Sequence, residues 1–256
     1  MKENWYLEER QQEILKLISQ AGRVTVADLS QSFGVSEVTI RADLQTLASQ
    51  NLIVRTHGGA VSAPLAPELS LALRLQQQIP QKNRIGTAAA ELVADGDAIF
   101  LDTSSTALAI ARQLRSRHDL TIITNSLAVA QALLEAPGIN VVIPGGTLQR
   151  DTMSLVGVEG LALLQPFNIQ KGFFGAHGLS LPEGLTDVSA AEAQVKRHMA
   201  SLCRQVIAVL DESKWGRVGL ASFARLEELH CVITSKQAPE ALVQPIRAAG
   251  INVIQV

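Results

Sequence analysis

Apolar positions in the first sixty residues recur at helical spacing, in units that fit only small helices. Leu7, Ile14, Leu17 and Ile18 share one face, the signature of an amphipathic helix. Gly22 in "QAGR" suits the left-handed stop of such a helix. A second stripe, Val26, Leu29 and Phe33, lies within "TVADLSQSF", and Gly34 permits a tight turn after it. Ser36 is a good cap for a third helix that runs to about Ser49. "NLIVRTHGGAVS" then predicts a hairpin, with a strand at 52–55, a turn at Gly58–Gly59 and a returning strand.

The pattern changes after "SAPLAPELS" (62–70), whose two prolines and lack of period mark a linker. Beyond it, the apolar runs "AIFL", "LTIIT", "NVVIP", "GFFGA", "VIAVL", "CVIT" and "INVIQV" alternate with helical patterns near 81–94, 107–116, 127–135, 189–202 and 239–249. That alternation predicts βαβ units and a mostly parallel sheet covered on both faces. The organisation is therefore three helices and a hairpin at 1–61, a linker and connecting helix at 62–80, and a larger α/β domain at 81–256.

On a helical wheel, Ile40, Leu44 and Leu47 turn the third helix inward, toward Leu29 and Phe33. Val38, Ala42, Gln45 and Ser49 fall on the opposite side, with Thr39 and Arg41 at its flanks. An outer face that is small, polar and nearly uncharged suits a DNA major groove. Arg41 is then the candidate base or phosphate contact. Ser36 and Thr39 are candidate phosphate donors, Val38 and Ala42 can touch thymine methyls, and Gln45 lies beside them. Arg55 and His57 of the hairpin can reach the backbone. Asp43 faces the inner flank, as a structural partner for a nearby base. The same three helices and hairpin also build protein-binding modules.

Charge limits the DNA reading. The chain's net charge is −2, and residues 1–62 hold six Lys/Arg against seven Asp/Glu. Phosphate neutralisation supplies much of the affinity for DNA, so a single copy should bind weakly and a dimer or higher oligomer is expected. Cys203 and Cys231 sit in apolar surroundings, as buried thiols of a reducing compartment do. "MKENWYLEER" lacks the apolar core of a signal peptide and no run of apolar residues is long enough to span a bilayer. A cytoplasmic protein without membrane partners is expected.

The larger domain offers a site for an anion. In "DGDAIFLDTSSTALAIARQL", Asp102 ends a strand, and Thr103, Ser104, Ser105 and Thr106 place hydroxyls and N–H groups where a helix begins. Ser and Thr are also ordinary caps, although four in a row exceed what a cap needs. Asn125 in "TNS", Gly145 and Gly146 in "PGGTLQR", and His177 in "GAHGLSLPEGLTD" lie in loops that follow later strands, on the same sheet edge. Glu192 and Lys196 fit either this site or a solvent-facing i, i+4 pair, and Ser189 with Glu192 fits a capping box. Lys214 in "DESKWGR" can neutralise phosphate or lie on the surface. No zinc spacing, Walker loop or GxGxxG is present, so no metal, cofactor or catalytic residue is assigned.

Arg10, Ile14, Ile18, Ser36, Thr39, Ile40, Arg41, Asp43 and Leu44 together resemble the signature of the DeoR family of bacterial transcription regulators, and "RTHGGA" resembles its wing. Ala42 stands where that family commonly has a basic residue. The second half is similar to the DeoR-type sensor domain, itself akin to ribose-5-phosphate isomerase. "DTSST" resembles its phosphate loop, with Ser104 for glycine, and "TNS", "GG", "FGAHGL…EGLTD…E…K" and "DESKWG" follow in order. Lys82 and Arg84 in "QKNRIG" resemble the basic segment at the sensor's start. The resemblance implies an α/β chain, with a winged helix-turn-helix joined to a sugar-phosphate sensor. It implies a repressor of a sugar operon, released from operator DNA by a phosphorylated sugar. The alternative is a sugar-phosphate isomerase or deaminase carrying an accessory module, with Asp102, Glu192 or Lys214 as acid or base.

Overall fold

The computed structural model describes residues 6–21, 23–49, 53–56, 58–62 and 70–256. Gly22, His57, the first residue of the expected wing strand and the prolines of the linker lie outside them. Contacts divide the chain into two units, Met1–Ser70 and Leu71–Val256. The second takes in Leu71–Gln76, within the stretch that the sequence marks as linker and connecting helix.

In the first unit, helices α1 (Leu7–Ala21), α2 (Val26–Phe33) and α3 (Glu37–Ser49) bury Ile14, Ile18, Leu29, Phe33, Ile40, Leu44 and Leu47 against one another. Those are the stripes visible in the sequence. Thr25 caps α2 by accepting from the Asp28 N–H at 3.1 Å, and Gly34 ends it at φ +64°. Ser36 accepts the Thr39 N–H at 3.1 Å and so starts α3. The wing strands β2 (Ile53–Thr56) and β3 (Gly59–Ser62) pair as an antiparallel hairpin, but Gly59 belongs to β3, opposite Thr56, and not to the turn expected of it. A third strand, β1 (Arg23–Thr25), pairs with β3 and was not legible, because three residues carry no period. Gly59 is the residue that lets β1 in: a Cβ there would sit 2.0 Å from the Val24 carbonyl oxygen.

The second unit is built on a seven-stranded, wholly parallel sheet. Its strands are β4 (Ala98–Leu101), β5 (Leu120–Thr124), β6 (Ile139–Val142), β9 (Ile169–Phe174), β12 (Cys203–Leu210), β14 (Cys231–Thr234) and β15 (Asn252–Gln255). Their spatial order is β15-β14-β12-β9-β4-β5-β6. Alternate side chains feed two cores. Phe100, Ile123, Phe174, Ala208 and Val232 join helices α8 (Ala190–Leu202) and α9 (Glu240–Ala248). Ile99, Leu101, Ile122, Phe173 and Ile233 join α5 (Ile79–Glu91), α6 (Ser105–Leu114) and α7 (Leu127–Leu133). Both faces are thus covered, as a parallel sheet requires.

Two smaller sheets were not foreseen. A hairpin, β7 (Thr147–Gln149) with β8 (Ser154–Val156), follows the "PGG" turn. Strands β10 (Gly178–Ser180), β11 (Gly184–Asp187) and β13 (Ala221–Ala224) turn the Gly-rich stretch 175–187 from a loop into a hairpin. Among the described residues, no helix is long and apolar enough to cross a membrane.

Candidate functional site

Strand order sets the place of the site. From β4 the chain moves outward through β5 and β6, then returns to lay β9 on the other side of β4. The loops leaving β4 and β9 therefore run in opposite directions and open a crevice between them, where open α/β sheets bind ligands. The β4 loop is 102–104; the β9 loop begins at Gly175. The two touch: a Cβ on Gly175 would lie 2.4 Å from the Ser104 Cβ, so only glycine permits this approach.

Asp102 ties the crevice together. Its carboxylate accepts from the Ser104 N–H at 3.0 Å and the Gly175 N–H at 2.9 Å, and lies 3.0 Å from the Lys196 Nζ. Lys196, 3% exposed, also donates to the Gly175 carbonyl at 2.9 Å and to Asp187 at 2.8 Å. Burial acts to lower its pKa, but Asp102, Asp187 and Glu192 outweigh that and hold it above the usual lysine value. For Asp187, burial is likewise outweighed by Lys196, and its pKa falls below the usual carboxylate value. Glu192 accepts from the Thr103 hydroxyl at 3.2 Å and from the Ser154 hydroxyl. Glu192 and Lys196 are thus both buried, and the solvent-facing alternative fails. The capping box is half formed: Ser189 accepts the Glu192 N–H at 3.3 Å, while Glu192's own carboxylate reaches across to β8 and the β4 loop.

Ser104 caps α6, accepting the Ala107 N–H at 3.0 Å, with φ −76° and ψ 152°. That backbone needs no glycine, so serine occupies the position without strain. The cap leaves the next two residues over. Among the described residues, the N–H groups and hydroxyls of Ser105 and Thr106 have no partner. They sit at the positive end of a ten-residue helix, where an anion is favoured. Nearby Asn125 is 2% exposed; its Nδ2 donates to the Leu155 carbonyl at 3.0 Å and its Oδ1 has no donor.

Lys82 is buried and donates to the carbonyls of Arg74 and Gln77. Burial pulls its pKa down to about 8, against Asp211, with Lys214 and Arg74 adding to the fall. A lysine whose folded pKa is depressed costs stability while charged, and that cost is relieved as pH rises above about 8. Urea midpoints of the native chain should therefore rise between pH 7.5 and 9.5 relative to those of Lys82→Met; parallel curves would refute this. Lys214 and His177 are half-buried, and the His177 N–H donates to the Thr186 carbonyl at 2.9 Å. Arg84 is exposed on α5. Gly145 and Gly146 are exposed with φ +88° and +129°, and a Cβ on Gly146 would lie 2.5 Å from the Val156 carbonyl oxygen. Their freedom serves the turn into β7 and β8.

On α3, Val38 is 71% exposed, and Arg41, Ala42 and Gln45 are exposed with it. Arg41 pairs with Glu37 at 2.5 Å on the surface, and the Arg55 guanidinium donates to the Gln45 side chain at 2.7 Å. Thr39 and Ser36 share a hydroxyl hydrogen bond of 2.9 Å. Asp43 is buried and bidentate with Arg10, at 2.6 and 3.3 Å, the structural role expected of it.

Residues 10–64 match the model of the DeoR-like helix-turn-helix domain, and residues 77–236 match that of the DeoR C terminal sensor domain. The chain belongs to the DeoR family. It is 35% identical to the HTH-type transcriptional regulator GolR of Listeria innocua, over 96% of this chain and 97% of that one. It is 34% identical to a putative aga operon transcriptional repressor of Escherichia coli O157:H7, over 97% and 93%. It is 31% identical to the glycerol-3-phosphate regulon repressor of Escherichia coli K12, over 92% and 94%. Among solved structures, it is similar to ribose 5-phosphate isomerase A of Methanocaldococcus jannaschii, at 21% identity over 52% and 53% with a TM-score of 0.39.

In this DeoR-family regulator, the fold gathers Asp102, Thr103, Ser104, Glu192 and Lys196 into one hydrogen-bonded group. Arg84 is not drawn into it. Three members were missed. Asp187 ends the Gly-rich stretch 175–187, with nothing local to single it out from that loop. Ser154 lies on a strand too short to show a period. Arg74 fell in the segment read as connection. For Arg74 the signal was present: an arginine among apolar residues, eight positions before Lys82.

Proposed function

We propose that this regulator represses a sugar or carbohydrate operon and releases its operator when a phosphorylated sugar or related metabolite binds the crevice between β4 and β9. The operator-holding role falls to residues 1–61 and the sensing role to 81–256, in a cytoplasmic dimer or tetramer. Two relatives are named as a putative aga operon transcriptional repressor and a glycerol-3-phosphate regulon repressor, and the second name, that of a phosphorylated metabolite, supports this class of effector. The observation that carries the effector class is the pair Ser105 and Thr106. Their unpartnered N–H and hydroxyl groups at a helix start call for an oxyanion. A screen of sugar phosphates by thermal shift should give at least one that raises the melting temperature, an effect lost in Ser105→Ala/Thr106→Ala. A rise with unphosphorylated sugars alone would overturn the phosphate assignment.

Binding rather than catalysis fits the group best. Asp102 is committed to two N–H groups and an ammonium, and Glu192 to two hydroxyls, so neither is poised to move a proton. Release requires only that the effector prefer one arrangement of the chain by ~1–3 kcal/mol.

On the DNA side, Val38, Ala42 and Gln45 face the groove, and Arg41 exchanges its surface pair with Glu37 for a base edge or phosphate. Such exposed pairs are worth under about 1 kcal/mol, so little opposes the exchange. Val38→Glu, which puts an acid against the duplex, should weaken operator retention about 100-fold or more in a gel shift, with circular dichroism unchanged. Undiminished retention would show that another face meets the DNA.

A further inference from the structure

The short helix α4 (Leu71–Gln76) carries a charge that the folded unit leaves largely unused. Among the described residues, the Arg74 guanidinium makes one long hydrogen bond, Nη2 to the Thr103 carbonyl at 3.4 Å. Its Nε is buried with no acceptor. Arginine stays charged, and a buried donor left unmade is costly. The carboxylates whose fields reach Arg74 are Asp187, Asp102 and Glu192, and each already serves Lys196, a backbone N–H or a hydroxyl. The open donors at this spot are therefore the Arg74 fork and the N–H and hydroxyl groups two and three residues beyond Thr103. A tetrahedral anion with several oxygens can accept from all of them, and the planar fork matches phosphate in two-point fashion.

The mounting of Arg74 adds a second observation. Lys82 on α5 donates to the carbonyls of Arg74 and Gln77, and the Leu71 N–H donates to the Asp151 carbonyl at 2.8 Å. Between the helices, Gln78 is held at φ +53°, a conformation that non-glycine residues rarely adopt and that neighbours must enforce. With six residues, α4 is under two turns long, so moving its arginine moves all of it. Residue 71 also follows directly on the segment that leads from the first unit.

We propose that Arg74 clamps the phosphate of the effector, and that α4 is the element through which occupancy reaches the chain leading to the DNA-binding unit. This rests on the reading of residues 103–106 as a phosphate cradle. Orthophosphate, titrated at constant ionic strength against the full chain, is the probe. The wild type should show a phosphate-dependent rise in melting temperature and slower hydrogen exchange at amides 71–78. Arg74→Gln should bind phosphate about 10-fold more weakly or worse and lose the protection. Arg74→Lys, which keeps a point charge but not the fork, should fall between. Equal phosphate binding by the wild type and Arg74→Gln would overturn the clamp and leave the cradle standing. Weaker binding by Arg74→Gln with no change at 71–78 in the wild type would overturn the transmission role. No response of the wild type to phosphate would remove the cradle itself, and this proposal with it.

Discussion

Lys196→Met is expected to destabilise the second unit by about 3–5 kcal/mol, the usual cost of leaving buried charges without their partner. The expectation follows from geometry. The ammonium donates to the Gly175 carbonyl and to Asp187 and lies 3.0 Å from Asp102, and the methionine supplies none of these contacts. Two carboxylates would lose their ammonium partner at the carboxyl ends of β4 and β11, and the Gly175 carbonyl of the β9 loop would lose its donor. For a domain of this size that is roughly a 6–20 °C fall in melting temperature, measurable by calorimetry. A change under 2 °C, far below that estimate, would mean the network is not held as described. Acid should mimic the mutation. The Asp187 pKa is depressed in the fold, so its contribution is present above the unfolded value and disappears as pH falls through the folded one.

The first unit has its own buried pair. Asp43→Ala takes away the buried carboxylate that accepts from Arg10 and Gln11, and a loss of about 3–5 kcal/mol is expected from breaking this buried pair. That is comparable to the whole stability of a domain this small. Helical signal from the unit and operator retention should therefore be lost together at moderate temperature. The pair replacement Arg10→Met/Asp43→Leu should restore both, since an apolar pair of similar volume can stand in for a buried ion pair. Recovery of the fold without recovery of retention would place Arg10 or Asp43 at the DNA after all.

Comparing these sites with the sequence shows what periodicity can and cannot disclose. Ile40, Leu44 and Leu47 announced the buried face of α3, because a helix repeats every 3.6 residues and one chain segment suffices to display it. The runs "AIFL" and "CVIT" announced strands of a parallel sheet by being apolar on both sides. The hydroxyl run 103–106 announced a helix start with more hydroxyls than its one cap, Ser104, uses. By contrast, β1, β7, β8 and β10 are three-residue strands, below any detectable period. Glu192 read as a complete capping box, and only the approach of β8 and the β4 loop shows where its carboxylate goes.

The chain's own pattern thus disclosed the longer elements, their buried faces, the change of pattern between the two units and the crowded helix start at 103–106, since each depends on residues close together in the sequence. Tertiary structure decided which strands are neighbours, and with that the crevice between β4 and β9. It joined Lys196 to Asp102 across more than ninety residues, brought Arg74 to Thr103, and made the Glu192–Lys196 pair a buried link. Such contacts depend on strand order and on loop approaches such as Gly175 against Ser104, which are properties of the packed sheet that no local stretch of sequence contains.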